Sequence, residues 1–201
     1  DPVDEDFQYF SIYRSEDEGF TPSQENLIGY SIESSYIDIP PAGMEMVYYR
    51  VSAVDIHDNE GDASESVSVI LMSTISVNYL DGWNLVGLPL EVEDATCSIL
   101  FPESIEGTLY SFNGSYVPAF NLIPSEGYWL RFNNAGSTTI TGTLINELTI
   151  SLSEGWNLVS GISETVSISS ISDPDGIIVS GTLYGYDGSY FNAETIDPGK
   201  G

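Results

Sequence analysis

Hydrophobic and polar positions alternate with a period of two along much of this 201-residue chain. The alternation is clearest in residues 9–14, 47–54, 66–71, 75–79 and 148–152. Because successive side chains of a β-strand point to opposite faces, this pattern predicts strands with one buried and one solvated face. Turn signals such as Asn113-Gly114 separate the strands, and no long stretch has a helical period. The chain is therefore predicted to be all-β, built of sandwiches or barrels.

Residues 1–73 form the first predicted module. Residues 9–14, 35–38 and 48–55 read YFSIYR, SYID and YYRVSAVD. These runs resemble strands of a fibronectin type III domain, and the resemblance implies a partial immunoglobulin-like β-sandwich over this module. The two strands that open such a domain do not precede Asp1, so we expect missing residues upstream or a strand supplied by another chain.

The remaining residues contain an internal repeat. GWNLV at 82–86 recurs at 155–159, GTLY at 107–110 recurs at 181–184, and GSY at 114–116 recurs at 188–190. Motifs repeated in fixed order indicate a duplicated structural unit. We call residues 74–147 copy 1 and residues 148–201 copy 2. Copy 2 is predicted to be truncated, because it stops where a counterpart of GYWLRF in copy 1 is expected. These GWNLV…GYW units look like the tandem β-repeats of large secreted bacterial proteins, and that resemblance implies a module rather than an activity.

The repeated aromatic residues are the main core candidates. Trp83 and Trp156 occupy equivalent positions, and a tryptophan brings a large apolar area to a core. We therefore predict that both are buried, with a ligand platform as the alternative. The same interpretation covers the other prominent aromatic residues of the repeat: Tyr110 with Tyr184, Tyr116 with Tyr190, and Trp129.

The charge balance excludes several classes of partner. Lys and Arg total 4 against 31 Asp and Glu, which gives a formal net charge of −27. A nucleic-acid binder needs a basic face to displace counterions, so no nucleic-acid partner is expected. The sequence has no apolar run long enough for a membrane span, and no membrane insertion is expected. Cys97 is the single cysteine, which excludes an internal disulfide and predicts a small buried apolar side chain.

Catalytic residue patterns are scarce. His57 is the single histidine, and it lies in a predicted acidic turn. One histidine without a placed nucleophile does not make a catalytic triad. Lys200 is the single lysine, and no glycine-rich phosphate loop precedes it. We therefore predict a protein that is not an enzyme and has no certain cofactor.

Calcium is the most plausible ligand from the sequence. Hard cations bind clustered carboxylates on loops, and the candidate metal ligands in one turn are Asp55, Asp58, Glu60 and Asp62. Two further acidic groups are Asp1, Asp4, Glu5 and Asp6 at the start and Asp173 with Asp175 in a later loop. None of them matches the twelve-residue calcium loop, and a solvated acidic surface is the alternative interpretation.

Three functions follow from these patterns. The first is a non-catalytic extracellular accessory, spacer or surface-presentation region of a larger secreted bacterial protein, with flanking domains of the same chain as partners. The second is a carbohydrate- or surface-binding module that uses Phe120, Tyr128 or Phe191 to stack on sugar rings. The third is a self-assembling β-rich filament or layer subunit that is completed by strand addition. All three place the protein outside the cell or at its surface.

Overall fold

The computed structural model describes residues 6–41 and 44–201, and these are nearly all β-structure in antiparallel sheets. The predicted all-β class is confirmed. The chain forms two compact units, Asp1–Leu71 (unit 1) and Met72–Gly201 (unit 2). Among the described residues, no helix has the length and apolarity that crossing a bilayer requires.

Unit 1 contains one four-stranded antiparallel sheet. Its strands are β1 (Phe7–Ser15), β2 (Leu27–Ser31), β3 (Met46–Asp55) and β4 (Val67–Ile70). Their order is β2-β1-β3-β4, and β1 pairs with β3 along nearly its whole length. The apolar side chains buried in this unit are Ile12, Tyr13, Phe20, Val47 and Val54.

Unit 2 contains eleven short strands. They are β5 (Ser73–Tyr79), β6 (Gly82–Gly87), β7 (Leu90–Glu91), β8 (Tyr110–Phe112), β9 (Tyr116–Pro118), β10 (Gly127–Phe132), β11 (Gly136–Leu144), β12 (Val166–Ser167), β13 (Tyr184–Tyr186), β14 (Tyr190–Asn192) and β15 (Thr195–Ile196). Copy 1 supplies a sheet of order β6-β10-β8-β9 and another of order β5-β11-β7. Copy 2 supplies the two-stranded pairs β12-β15 and β13-β14.

The core of unit 2 lies in copy 1. Strand β10 alternates three fully buried side chains, Tyr128, Leu130 and Phe132, with Trp129 and Arg131 on its other face. The Phe132 ring stacks on Tyr79 with the ring centroids 3.7 Å apart. Because β10 is hydrogen-bonded to β6 along the whole of β6, it joins the sheet to this core.

One helical turn departs from the sequence prediction, which contained no helix. Helix α1 (Cys97–Leu100) is a single turn, and its Leu100 side chain is buried. Cys97 is half-buried and packs against the copy 1 core, and this burial raises the pKa of its thiol. A turn this short leaves no helical period in the sequence, which explains why the pattern did not indicate it.

The predicted strand at residues 148–152 is wrong, because this stretch has no strand structure. Its counterpart in copy 1 is β5, which pairs with β11 from Ser73–Gly142 to Tyr79–Gly136. No segment within the 201 residues corresponds to β11 in copy 2. An isolated strand leaves its backbone groups without a ladder partner, so the alternation alone does not produce a strand here.

Candidate functional site

The GWNLV turn has the same geometry in both copies. Gly82 and Gly155 adopt positive φ angles of 83° and 93°, which favour glycine. The Asn84 Oδ1 atom accepts the Leu80 N–H at 2.8 Å, and its Nδ2 donates to the Leu80 carbonyl at 2.9 Å. Asn157 makes the same pair of bonds with Ser153, both at 2.9 Å. The asparagine of this motif therefore closes the turn in each copy.

The prediction that Trp83 and Trp156 are core residues is wrong. Trp83 is 40% exposed and Trp156 is 64% exposed, whereas Asn84 is buried. In the motif, the asparagine takes the inward position because its side chain bonds the turn backbone. The neighbouring tryptophan therefore points outward, since adjacent strand residues face opposite sides.

Two of the three tryptophans, Trp83 and Trp129, belong to a row of contacting aromatic rings in unit 2. Trp83 lies 6.0 Å from Tyr110 and 6.3 Å from Trp129 between ring centroids. Trp129 in turn lies 4.8 Å from Tyr186 and 6.2 Å from Tyr190. We call these five residues the aromatic ladder. It joins the two copies, because its first three residues belong to copy 1 and its last two to copy 2.

The core interpretation also fails for other ladder residues. Trp129 is half-buried on the outward face of β10, and Tyr110 is half-buried on β8. Tyr190 is exposed, as are Tyr116 and Tyr184 outside the ladder. The Arg131 guanidinium lies 6.0 Å from the centre of the Trp83 ring, which places a cation beside the ladder.

The sugar-stacking candidates divide between surface and core. Phe120 is 81% exposed and Phe191 is 46% exposed. Tyr128 is fully buried, so its assignment as an exposed stacking residue is wrong. Its hydroxyl donates to Glu126 at 2.8 Å and accepts the Ile123 N–H at 3.1 Å. Burial and the Glu126 carboxylate raise the pKa of Tyr128.

Reciprocal hydrogen bonds connect the two copies. The Gly87 N–H of copy 1 donates to the Gly199 carbonyl of copy 2 at 3.1 Å. The Ser160 N–H of copy 2 donates to the Ser125 carbonyl of copy 1 at 3.0 Å. Gly87 and Ser160 are equivalent positions of the repeat, as are Ser125 and Gly199. The two copies therefore exchange the same backbone hydrogen bond at equivalent positions, as a local two-fold axis would require.

A cleft of about 830 Å³ opens on the copy 2 side of this junction. Its apolar lining includes Leu158, Leu183, Tyr184, Phe191, Ala193 and Ile196. Its charged lining comprises Asp187, Glu194, Asp197 and Lys200, so the wall is predominantly acidic. We call it the copy 2 cleft. The sequence analysis missed it, because the cleft depends on which strands pair rather than on any local motif.

The carboxylates predicted to bind calcium in unit 1 engage protein groups. Asp55 accepts the Asn59 side-chain N–H at 2.8 Å and the Asn59 and His57 backbone N–H groups at 2.9 and 2.8 Å. These hydrogen bonds lower the pKa of Asp55. Glu60 accepts the Ser52 and Tyr13 hydroxyls, which lower its pKa.

The other carboxylates of that prediction do not join them in a cluster. Asp58 and Asp62 are exposed, and the Asp58 backbone has a positive φ of 63°. Over residues 6–41 and 44–201, no group of three or more His, Cys, Asp or Glu side chains is arranged to hold a metal ion. Asp1, Asp4 and Glu5 lie outside the described residues. In the later loop, Asp173 accepts the Ile177 and Ile178 N–H groups. Calcium binding stays a prediction, and thermal unfolding with and without EDTA tests it.

Unit 1 contains an ion pair between Arg14 and Asp38. The Arg14 Nη1 atom lies 2.8 and 3.0 Å from the two Asp38 carboxylate oxygens, and the Tyr49 hydroxyl donates to Asp38 Oδ2 at 2.6 Å. Both side chains of the pair are 16% exposed. Partial burial acts to raise the pKa of Asp38, but the bonds from Tyr49 and Arg14 outweigh it and lower that pKa. Burial and the Asp38 carboxylate raise the pKa of Tyr49 to about 12.

Unit 1 should lose stability in acid through this contact. A carboxyl whose folded pKa is lowered stabilises the fold above its unfolded pKa of about 3.9, and the contribution is lost as pH falls through the folded value. Asp38→Asn should therefore cost about 1 kcal/mol at neutral pH and flatten the acid limb of the stability profile. Carboxyl ¹³C titration by NMR measures the pKa directly. Arg14→Gln should raise it, and an Asp38 pKa at or above 3.9 in the unaltered chain contradicts the prediction.

Comparison of the chain with protein-family models, curated proteins and solved structures gave no match.

Proposed function

We propose that this chain is a non-catalytic structural region of a larger secreted bacterial protein. In this proposal it acts outside the cell as a spacer or presentation module between flanking domains. The observation that carries the proposal is the reciprocal bonding of Gly87 to Gly199 and of Ser160 to Ser125. A spacer must keep its length under mechanical load. In this proposal the reciprocal hydrogen bonds couple the two copies, so that they unfold together.

The strand order of unit 1 supports the same proposal. An immunoglobulin-like sandwich of the variable type groups strands C′, C, F and G in one sheet. The order β2-β1-β3-β4 matches that arrangement if β1 is strand C and β3 is strand F. We therefore propose that unit 1 is the C′-C-F-G sheet of a fibronectin type III-like module.

The surface charge is compatible with an exposed spacer. A net charge of −27 keeps neighbouring molecules apart through mutual repulsion. It also disfavours contact with acidic polymers and membranes of the same sign.

The His57 backbone N–H donates to Asp55, and in the described residues no hydrogen bond joins the His57 ring to a serine or cysteine.

Single-molecule force spectroscopy of the full chain tests this function. Unit 2, residues 72–201, should unfold in one cooperative event that releases about 45 nm of contour length, at ~3.5 Å per residue. Unit 1 should give a separate and shorter event, which serves as an internal reference. Unfolding of copy 1 and copy 2 in two separate steps would contradict the proposal, since the reciprocal bonds would then not couple them.

Carbohydrate binding is a second candidate, which the aromatic ladder favours. Trp83 and Tyr190 present exposed rings, and Arg131 adds a hydrogen-bond donor beside Trp83. Exposed aromatic rings offer flat apolar faces on which sugar rings can stack. The negative charge of the chain would repel acidic polysaccharides, so we expect a neutral polysaccharide as the ligand.

Affinity electrophoresis through gels that contain neutral or acidic polysaccharides tests the second candidate. Trp83→Ala should weaken retardation at least about tenfold, since hot-spot aromatics dominate binding energy. Trp156→Ala is the matched control, because Trp156 holds the same repeat position outside the ladder. Unretarded migration in every gel, or equal effects of the two substitutions, would remove this candidate.

A further inference from the structure

We propose that the copy 2 cleft is an acceptor site for a β-strand with the residue pattern of β10. The occupant is an extended polypeptide segment from outside residues 1–201. It carries large apolar residues at alternate positions, with tryptophan and arginine on the opposite face, and it begins after the place of Gly201, the repeat counterpart of Gly127. The proposal does not rest on the spacer function, since it follows from the repeat geometry of unit 2.

The copies share the two elements between which β10 lies. In copy 1, β10 is hydrogen-bonded to β6 on one side and to β8 on the other. The counterpart of β8 is β13, which forms the same hairpin with β14 as β8 forms with β9. The counterpart of β6 is residues 155–160. Thus copy 2 contains both neighbours of a β10-like strand.

The edges of these neighbours are available. In the described part of the chain, β13 pairs with β14 and with no other strand. Residues 155–157 pair with no strand there, and Val159 forms an isolated bridge with Glu126. Both segments line the copy 2 cleft, the first through Trp156 and Leu158 and the second through Tyr184. An unpaired edge is a template for strand addition.

The apolar lining also matches what β10 covers in copy 1. Leu109 and Val86 are fully buried in copy 1, where they pack in one core with Tyr128, Leu130 and Phe132. Their counterparts Leu183 and Val159 are half-buried and line the cleft. A β10-like strand would therefore bury in copy 2 the side chains that β10 buries in copy 1.

The cleft also contains counterparts of the aromatic rings that contact Trp129 in copy 1. In copy 1, Trp129 packs against Trp83 and against the pair Tyr186 and Tyr190 of the other copy. The equivalent residues are Trp156 and the pair Phe112 and Tyr116. The rings of that pair are 5.3 Å apart, compared with 5.4 Å for Tyr186 and Tyr190. Trp156, Phe112 and Tyr116 all line the copy 2 cleft.

Charge and strand order decide between occupants. The acidic wall of Asp187, Glu194 and Asp197 favours a strand that carries arginine, as β10 does with Arg131. A second copy of this chain is a poor donor, because its own β10 is central in a sheet and buried. It would have to leave its core to enter the cleft.

The test uses the full 201-residue chain and a fluorescein-labelled peptide of residues 128–134 (YWLRFNN), and binding is followed by fluorescence anisotropy. We expect saturable 1:1 binding and slower amide hydrogen exchange in residues 155–159 and in β13. A peptide with Leu130→Asp and Phe132→Asp should bind at least about tenfold more weakly, because it would bury two charges. Equal binding of both peptides, or no binding at millimolar peptide, would overturn the proposal.

A matched pair of protein variants locates the site. Phe191→Asp should weaken peptide binding at least about tenfold, because Phe191 lines the cleft. Val117→Asp is the control, since Val117 is the repeat equivalent of Phe191, is similarly exposed (43% against 46%) and lies outside the cleft lining. Sedimentation of the chain alone provides a further check. A concentration-dependent dimer that the peptide does not dissociate would assign the cleft to a second copy and overturn the proposed occupant. Cooperative unfolding under force is independent of these outcomes, so either proposal can fail alone.

Discussion

Phe132→Ala should lower the free energy of unfolding of unit 2 by about 3–5 kcal/mol, the largest effect that we expect from a single substitution. Phe132 is fully buried at the end of β10. Its ring stacks on Tyr79 and meets Phe101 edge to face with centroids 6.1 Å apart. Truncation removes both ring contacts and leaves a cavity that the surrounding close-packed core cannot fill.

Guanidinium unfolding followed by tryptophan fluorescence measures this loss, because all three tryptophans lie in unit 2. Phe191→Ala is the control and should cost less than about 1 kcal/mol, since Phe191 is close to half exposed. Phe132→Leu should retain much of the stability and keeps the comparison measurable if the alanine variant does not fold. A similar cost for Phe132→Ala and Phe191→Ala would show that the copy 1 core does not stabilise unit 2.

Asn84→Ala should destabilise unit 2 by about 2–4 kcal/mol. Asn84 is buried and bonds both the N–H and the carbonyl of Leu80, together with the Gly82 carbonyl at 3.2 Å. Alanine removes these partners and leaves the turn backbone without hydrogen bonds in a poorly solvated place. The cost follows from desolvation of those groups rather than from lost apolar contact.

Asn157→Ala is the matched control for this substitution. Asn157 makes the same bonds with Ser153 and Gly155, but at a more exposed turn where water can replace them. We therefore expect a loss below about 1 kcal/mol. Chemical unfolding of both variants under one condition gives the difference directly. Equal losses would mean that burial does not determine how much the asparagine of this motif contributes to the free energy of unfolding.

The strand pattern predicted more of the fold than the aromatic residues did. Alternation correctly predicted strands at β1, β3, β4 and β5. A half-buried strand such as β5 shows its period of two in the sequence, whereas β4 alternates although it is exposed throughout. The same alternation at residues 148–152 predicted a strand that is absent. Periodicity reports which face of a segment is apolar, but a strand also requires a neighbouring edge.

The tryptophan positions had a usable signal in the sequence. In β10, Trp129 shares a face with Arg131, whereas Tyr128, Leu130 and Phe132 share the other. An arginine on one face marks it as the solvated side, so the alternation already placed Trp129 outward and Tyr128 inward. The motif around Trp83 carries no such marker, and only the bonding of Asn84 reveals its orientation.

The copy 2 cleft lay beyond sequence reasoning for a different reason. Leu158 and Leu183 look like ordinary core residues, and their equivalents in copy 1, Leu85 and Leu109, are buried. Their exposure depends on which partner strands are present, which is a property of the tertiary arrangement. The four calcium candidates are close together in the sequence. In the described residues, however, no three of these carboxylates are arranged to hold a metal ion.

The exchanged contacts at Gly87 and Ser160 bear on where the chain can be cut. A break between residues 147 and 148 falls at the border of the sequence repeat, yet it would strip one carbonyl acceptor from each half. A piece transplanted into another protein keeps both hydrogen bonds only when it contains the pair of copies. Copy 2 expressed alone should fold incompletely, because the buried apolar cluster of unit 2 lies in copy 1.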